Sequence, residues 1–370
     1  MQIVPVQTSD SARLGQYVSL LSDALLESGE EPTPLDPAIL VPRLQKPVEQ
    51  YPAAYWLAFV DGEDRAVGYG AAFWTTGSAN ADLASVRVWV SPSHRNRGYG
   101  QALMERALQH LPGYVTRLDG YVCAATDGTQ LETSDLPGVR FARECGFRVS
   151  QVSHVRRHPW PIDAALLESL DPSTADPDGR RRLGAYSIHT YVNGVPLQYQ
   201  DGLVRLENQV ECEAPHGDVD LEPEEITAEM YRQAVENTLS TKGTRVESVA
   251  VLPHSDGREE VVAFCSYGAP FNPDSFIHVN QTFVDRAHRG NGLGWAVKCA
   301  VERSLLELNL PHKAVESLNA STNEAMLAIN NAFGFESVLR IGDLYSERAT
   351  VSERLAERRA RHQAANQESQ

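Results

Sequence analysis

Two short runs in this 370-residue chain share an arginine and glycine spacing that can hold an anion. Arg95, Asn96, Arg97, Gly98, Tyr99 and Gly100 spell R-x-x-G-x-G, and Arg289, Gly290, Asn291, Gly292, Leu293 and Gly294 spell it again. Each run follows an alternating stretch rich in β-branched and aromatic residues. Each precedes apolar residues at helical spacing, as at Val297, Ala300, Val301, Leu305 and Leu308. A strand that turns into a helix N-terminus exposes unpaired backbone N–H groups, with the positive end of the helix dipole behind them. That is a seat for a pyrophosphate. The glycines allow the main chain to approach the phosphates closely. A dinucleotide fold would need G-x-G-x-x-G with a downstream acid, and a P-loop would need G-K-[ST]; the chain has neither.

The second kind of chemistry is proton transfer, and its candidates lie in the C-terminal half. Glu316 stands in an otherwise apolar strand, KAVESL, where a buried carboxylate has a raised pKa and can act as a base. The alternative is an edge or solvent-facing glutamate. His278 opens the strand before the second turn, as a second candidate base or as a structural histidine. No comparable pair stands out in the N-terminal half.

Composition limits the partners. Net charge is −16, which disfavours nucleic acid and suits a cationic acceptor such as an amine. Cys123, Cys145, Cys212, Cys265 and Cys299 are odd in number and lack CxxC spacing, which argues against a disulfide framework and against a metal site. No apolar run reaches the length of a membrane span, and the first residues have neither a basic nor an apolar signal region. A cytoplasmic protein without a membrane partner is expected.

The elements that must position these groups also recur. A strand at 1–7 and a helix at 11–28, capped by Ser9 or Ser11, are followed by a break at the prolines of 32–42. A hairpin at 55–74 leads to the first strand, turn and helix, then a strand at 114–125 and a short helix at 139–145. Residues 158–184 read as a linker with a helical turn at 162–170. The order then returns: a strand at 186–192, helices at 202–213 and 224–240, and a hairpin at 247–269. The second strand, turn and helix follow, with a strand at 314–318 and a helix at 323–333. An α/β fold with a mixed sheet, in two tandem domains at 1–157 and 185–349 and a charged helical tail at 350–370, is expected.

With these motifs quoted, each half resembles the GCN5-related N-acetyltransferase (GNAT) family, whose central motif is a strand followed by [QR]-x-x-G-x-[GA] and a helix. A second family motif is similar to NASTNEAMLAINNAFGF in the C-terminal half, with Asn323 at the usual asparagine; the N-terminal half keeps GVRFARECGF. The arrangement looks like tandem acetyltransferases such as mycothiol synthase. The resemblance implies acetyl-CoA as cofactor, its pyrophosphate on the amides of 96–100 and 290–294. Its pantetheine arm would pair at Val88 and Val90, and at Thr282 and Val284. Asn323 by the motif, and Asn319 by proximity, would contact cofactor or acceptor; helix capping, for which Asn319 or Ser321 would serve, is the alternative. The tyrosine that many members place four residues before the closing Gly-Phe is replaced by Ala142 and Asn330. The implied activity is N-acetyl transfer to a small-molecule primary amine, mainly in the C-terminal half, with a non-catalytic acyl-CoA-binding module as the other reading.

Overall fold

Capping chemistry and apolar periodicity account for most of the elements. In the computed structural model, which describes residues 1–46, 48–125, 131–173, 183–213 and 217–368, β1 (Gln2–Val6) leads to α1 (Ser11–Ser28). Asp10, rather than Ser9 or Ser11, caps α1 by accepting from the Arg13 N–H at 3.0 Å. A carboxylate there also meets the positive end of the helix. Where the prolines suggested only a break, α2 (Pro37–Leu44) forms, because Asp36 caps it and Pro37 sits where a missing N–H costs nothing.

The hairpin of β2 (Ala53–Phe59) and β3 (Ala66–Trp74) continues through β4 (Leu83–Val90), α3 (Tyr99–His110), β5 (Arg117–Ala125) and α4 (Pro137–Glu144). Next come β6 (Arg148–Pro159), α5 (Ala164–Leu170), β7 (Ser187–Val192), α6 (Leu197–Glu213) and α7 (Ala228–Ser240). The chain closes with β8 (Thr244–Pro253), β9 (Glu259–Ala269), β10 (Ile277–Val284), α8 (Leu293–Leu308), β11 (Ala314–Ala320), α9 (Glu324–Ala332), β12 (Glu336–Glu347) and α10 (Arg348–Glu368). β6 and β12 had no counterpart in the sequence reading. Both carry polar residues on each face, so main-chain pairing rather than apolar alternation makes them strands. Residues 174–182 of the expected linker lie outside the described residues.

The elements gather into two compact units that are not consecutive in sequence. The first comprises Met1–Ser153, His216–Glu222 and Leu339–Gln370; the second comprises His154–Pro215 and Pro223–Val338. These differ from the segments 1–157 and 185–349 read from the repeat, because a repeat marks where motifs recur and not which strand completes a sheet.

In the first unit the strand order is β1-β2-β3-β4-β5-β12, followed by residues 148–153 of β6. β5 runs parallel to β4 and antiparallel to β12. α3 covers one face with Leu103, Met104, Ala107 and Leu108 against Trp56, Val86 and Leu118. α1 covers the other with Leu14, Tyr17 and Val18 against Tyr55, Leu57 and Tyr69. The stretch expected as a charged tail instead buries Val351 and Leu355 in the α3 side of this core. Arg348, at the start of α10, closes the end of α3. Its Nη2 donates to the Leu108 and Leu111 carbonyls at 2.7 and 3.1 Å, and its Nη1 to those of Pro112 and Val115 at 2.6 and 3.0 Å.

In the second unit the order is residues 154–159 of β6, then β11-β10-β9-β8-β7. α8 covers one face with Val297, Val301 and Leu305 against Val246, Ala250 and Tyr267. α6 and α7 cover the other with Leu203, Leu206 and Tyr231 against Val249, Val251 and Phe264. Charge is enclosed under α6 and α7: Glu247 accepts from Tyr231 Oη and Arg245 Nε, both at 2.7 Å, and Glu207 lies 3.9 Å from Arg245. Burial pushes the Glu207 carboxyl up to about 7, against the pull of Arg245.

Two outcomes follow from these contacts. Arg348→Met should lower the unfolding free energy of the first unit by about 2–3 kcal/mol, since hydrogen bonds to a charged donor are lost, as a urea titration would show. For Glu207 the folded pKa lies above the unfolded value of about 4.3, so the proton favours the folded state and stability falls as pH rises from there to about 7. Glu207→Gln should flatten that slope and raise the melting temperature at pH 8 while leaving it unchanged at pH 4.

Candidate active-site clefts

Both R-x-x-G-x-G runs fold into the same turn. A single 3₁₀ turn, Pro92–His94 or Arg286–His288, carries the strand end into the motif. Positive φ then alternates along it, at Asn96 (60°) and Gly98 (85°), and at Gly290 (83°) and Gly292 (74°). Successive N–H groups in such a turn converge into an anion-binding concavity. Gly98 and Gly292 are the N-caps of α3 and α8, and no side chain caps either helix. The first-turn N–H groups are left for another partner.

The motif side chains brace the turn from within the protein. Arg95 Nε donates to the Val90 carbonyl at 2.9 Å and its Nη2 meets Glu27 Oε2 at 2.6 Å. Arg289 repeats this with the Val284 carbonyl at 3.0 Å and Glu213 Oε2 at 2.6 Å. Each guanidinium fastens the strand end to the acid at the end of α1 or α6, so it shapes the turn. Tyr99 and Leu293 are buried, Arg97 is exposed, and Asn291 Nδ2 donates to the His288 carbonyl at 3.0 Å. The last glycine of each motif faces the core: a Cβ at Gly100 would lie 3.2 Å from the Phe141 ring, and one at Gly294 3.4 Å from Ile329 Cδ1. Packing against α4 therefore favours the small residue at Gly100, whereas a Cβ at Gly294 would make ordinary contact with α9.

Beside each turn the sheet opens. β4 and β5 pair in parallel only at Leu83↔Arg117, Ala84↔Leu118 and Ser85↔Asp119. β10 and β11 pair only at Ile277↔Val315, His278↔Glu316 and Val279↔Ser317. Beyond these pairs the strands continue apart, with Val88 and Val90, and Thr282 and Val284, on the diverging part of β4 and β10. The two clefts differ in one respect: β10 has a register shift against β9 that leaves Asn280 as an extra residue, whereas β4 runs against β3 without interruption. A bulge of this kind takes one residue out of the ladder and re-aims its backbone.

At the base of each cleft a carboxylate is held across the strands. Ala84 and Leu118 pack under α3, and Ile277 and Val315 under α8, so the next pair along faces the other way. In the second unit that pair is His278 and Glu316, Nδ1 to Oε1 at 3.5 Å, and the structure thus brings both candidate bases together. Glu316 is not the lone carboxylate of an apolar strand: Arg157 Nε and Nη2 reach its Oε2 at 2.8 and 2.7 Å. In the first unit the corresponding pair is Ser85 and Asp119, hydrogen-bonded through the serine hydroxyl, with Arg87 Nη1 at 3.9 Å and its guanidinium over the Tyr121 ring at 4.5 Å. The sequence reading missed this second carboxylate. Matching the halves backward from the glycine turn passes through the extra residue at Asn280 and sets Asp119 against Ser317; matching them by buried face sets it against Glu316.

Asn323 caps α9, its Oδ1 accepting from the Met326 N–H at 3.2 Å, in place of Asn319 or Ser321. Asn319 lies two residues past the last β10–β11 pair, its Oδ1 accepting from Asn330 Nδ2 at 2.5 Å. Ala142 and Asn330, at the positions of the absent tyrosines, are both buried.

With that geometry in view, comparisons with known proteins are informative. Residues 20–147 match the profile described as "Acetyltransferase (GNAT) family". No curated protein is significantly similar to the chain in sequence. A tandem GNAT protein from the clavulanic acid biosynthesis pathway, solved without AcCoA, superposes with a TM-score of 0.69 at 22% identity, covering 94% of this chain and 98% of that one. A GCN5-related N-acetyltransferase from Sphaerobacter thermophilus gives a TM-score of 0.60 at 14% identity, covering 94% and 96%. At these identities the likeness is one of fold. Residues 20–147 thus carry the sequence signature of the acetyltransferase (GNAT) family, and the whole chain has a tandem GNAT fold.

Proposed function

We propose that the chain is an acetyl-CoA-dependent N-acetyltransferase acting on a primary amine of a small molecule, with its principal active site in the β10/β11 cleft. The observation that carries this reading is the coincidence, in that cleft, of the Asn280 bulge with the Glu316 and His278 pair. Acetyl-CoA supplies the acyl group as a thioester. The uncapped amides at Gly290–Gly294 would hold its pyrophosphate, those at 96–100 would hold a second molecule in the first unit, and the opened strand edges would take the pantetheine arm. The N–H groups at the bulge are suited to stabilise negative charge on a carbonyl oxygen, a contribution of a few kcal/mol that needs no side chain.

An alkylammonium has a pKa of about 10.4, so a proton must be removed before the nitrogen can attack. With Nδ1 turned to Glu316, His278 presents Nε2 as an acceptor, and Arg157 keeps the carboxylate in place. The acidic balance of the chain favours a cationic acceptor over an anionic one. The buried Ala142 and Asn330 favour the second reading, a module that binds acyl-CoA without turnover. No acceptor-binding residue singles out a mycothiol-type substrate.

Asn96→Asp and Gly290→Asp provide matched probes. Both positions have a left-handed backbone that Asp tolerates, and each substitution places a carboxylate at the turn. In calorimetric titration with acetyl-CoA the wild type should bind two equivalents and each variant one; a wild type that binds none refutes the acetyltransferase reading. Against a panel of primary amines, with release of CoA thiol as the signal, His278→Gln should lower the rate about 10²–10⁴-fold with binding of acetyl-CoA unchanged. Binding without thiol release for any amine would favour the non-catalytic module.

A further inference from the structure

A lysine is sealed beneath the second cleft. Lys298, on α8, has no exposed surface, and its Nζ donates to Asn330 Oδ1 at 2.7 Å, with the Phe335 and Phe333 rings 4.5 and 5.3 Å away. Asn330 is equally enclosed; its Nδ2 donates to Asn319 Oδ1 at 2.5 Å and to Ser317 Oγ at 3.3 Å. Ser317 Oγ in turn donates to Asn319 Oδ1 at 3.2 Å.

The direction of this chain is dictated from its inner end. An ammonium group has only donors, so Asn330 must turn its oxygen inward and its nitrogen outward. Asn319 must then turn its oxygen toward Asn330, which leaves its own Nδ2 facing away. Among the described residues Asn319 Nδ2 has no hydrogen-bond partner, and Asn319 is half-buried, just past the point where β10 and β11 part. Burial pulls the lysine's pKa down, and Glu302, one turn further along α8, works against that pull. Among the described residues the first unit has no such chain. When the halves are matched at the glycine turn and at the closing Gly-Phe, Met104 and Ala142 stand where the second unit has Lys298 and Asn330, and both are packed in the apolar core.

We propose that Lys298 and Asn330 are positioning residues which lock Asn319 with its amide donor turned into the β10/β11 cleft. Asn319 then serves as a hydrogen-bond donor to the sulfur end of acyl-CoA, in place of the tyrosine hydroxyl that this half lacks. The inference rests on the acetyl-CoA reading above. Asn319 keeps its proton and stabilises negative charge on the sulfur; the proton taken from the amine leaves through His278.

Asn330→Asp tests the polarity. The substitution is isosteric, pairs its carboxylate with Lys298, and removes the outward donor, so Asn319 must present oxygen to the cleft. CoA and desulfo-CoA are titrated calorimetrically, and the bound CoA thiol is titrated by the ultraviolet absorbance of its thiolate. Asn330→Asp should weaken CoA about tenfold at a pH where the wild type holds the thiolate, raise the bound thiol's pKa by about one unit and leave desulfo-CoA unaffected. Lys298→Met, which fills the same apolar space, should shift the thiol titration in the same sense, and neither change should add to that of Asn319→Ala. An unaltered thiol titration in both variants, or an equal loss for CoA and desulfo-CoA, overturns the inference while leaving the cofactor reading standing. A wild type that binds neither probe overturns both.

Discussion

Both units depend on a parallel strand pair that stops after three residues. A main chain that leaves a sheet carries N–H and C=O groups that must find partners, and an opening in mid-sheet is stable only where its walls are braced. Here the bracing is duplicated. An arginine ties the end of β4 or β10 to an acid at the end of α1 or α6, and a second arginine holds the carboxylate at the base of the cleft. The helix that begins at each turn is packed along its length on the strands that part. The opened backbone and the uncapped amides are therefore consequences of one arrangement, not independent inventions.

The two clefts share this frame and diverge in their linings. The second has the bulge at Asn280, a histidine opposite its carboxylate and a buried polar chain under its floor. The first has an unbroken β4, a serine opposite its carboxylate and an apolar floor, with Arg87 and Tyr121 at its mouth. Enclosing a lysine and an asparagine costs desolvation that an apolar floor avoids, and that cost is offset only when both are paired, as Lys298 and Asn330 are. Retention of such a chain on one side only argues that the clefts are specialised differently, although the signature matched to a family profile lies in the other half.

Sequence read most clearly where one physical cause dominates. Both glycine turns, their strands and their helices follow from period and motif, and all appear as expected. β6 and β12 were invisible because their stability comes from neighbours on both sides, which no local pattern encodes. Side-chain roles were less legible still: Arg95 and Arg289 carry the motif but point to Glu27 and Glu213, some seventy residues away, and Glu316 finds Arg157 from a strand that had not been anticipated. Asp119 was hidden by a single inserted residue in the other half.

Synthesis on the ribosome runs against this architecture. β5 in the first unit pairs with β12, and α10 seals the same core, yet those residues are translated only after the second unit. At roughly 5–20 residues per second, the edge of β5 waits on the order of ten to forty seconds for its partner strand. During that interval it is an unpaired strand edge beside an open core, the kind of surface on which nascent chains aggregate. The unit that emerges first is thus completed last, and a gene fragment ending at the apparent domain boundary would encode a sheet with a strand missing.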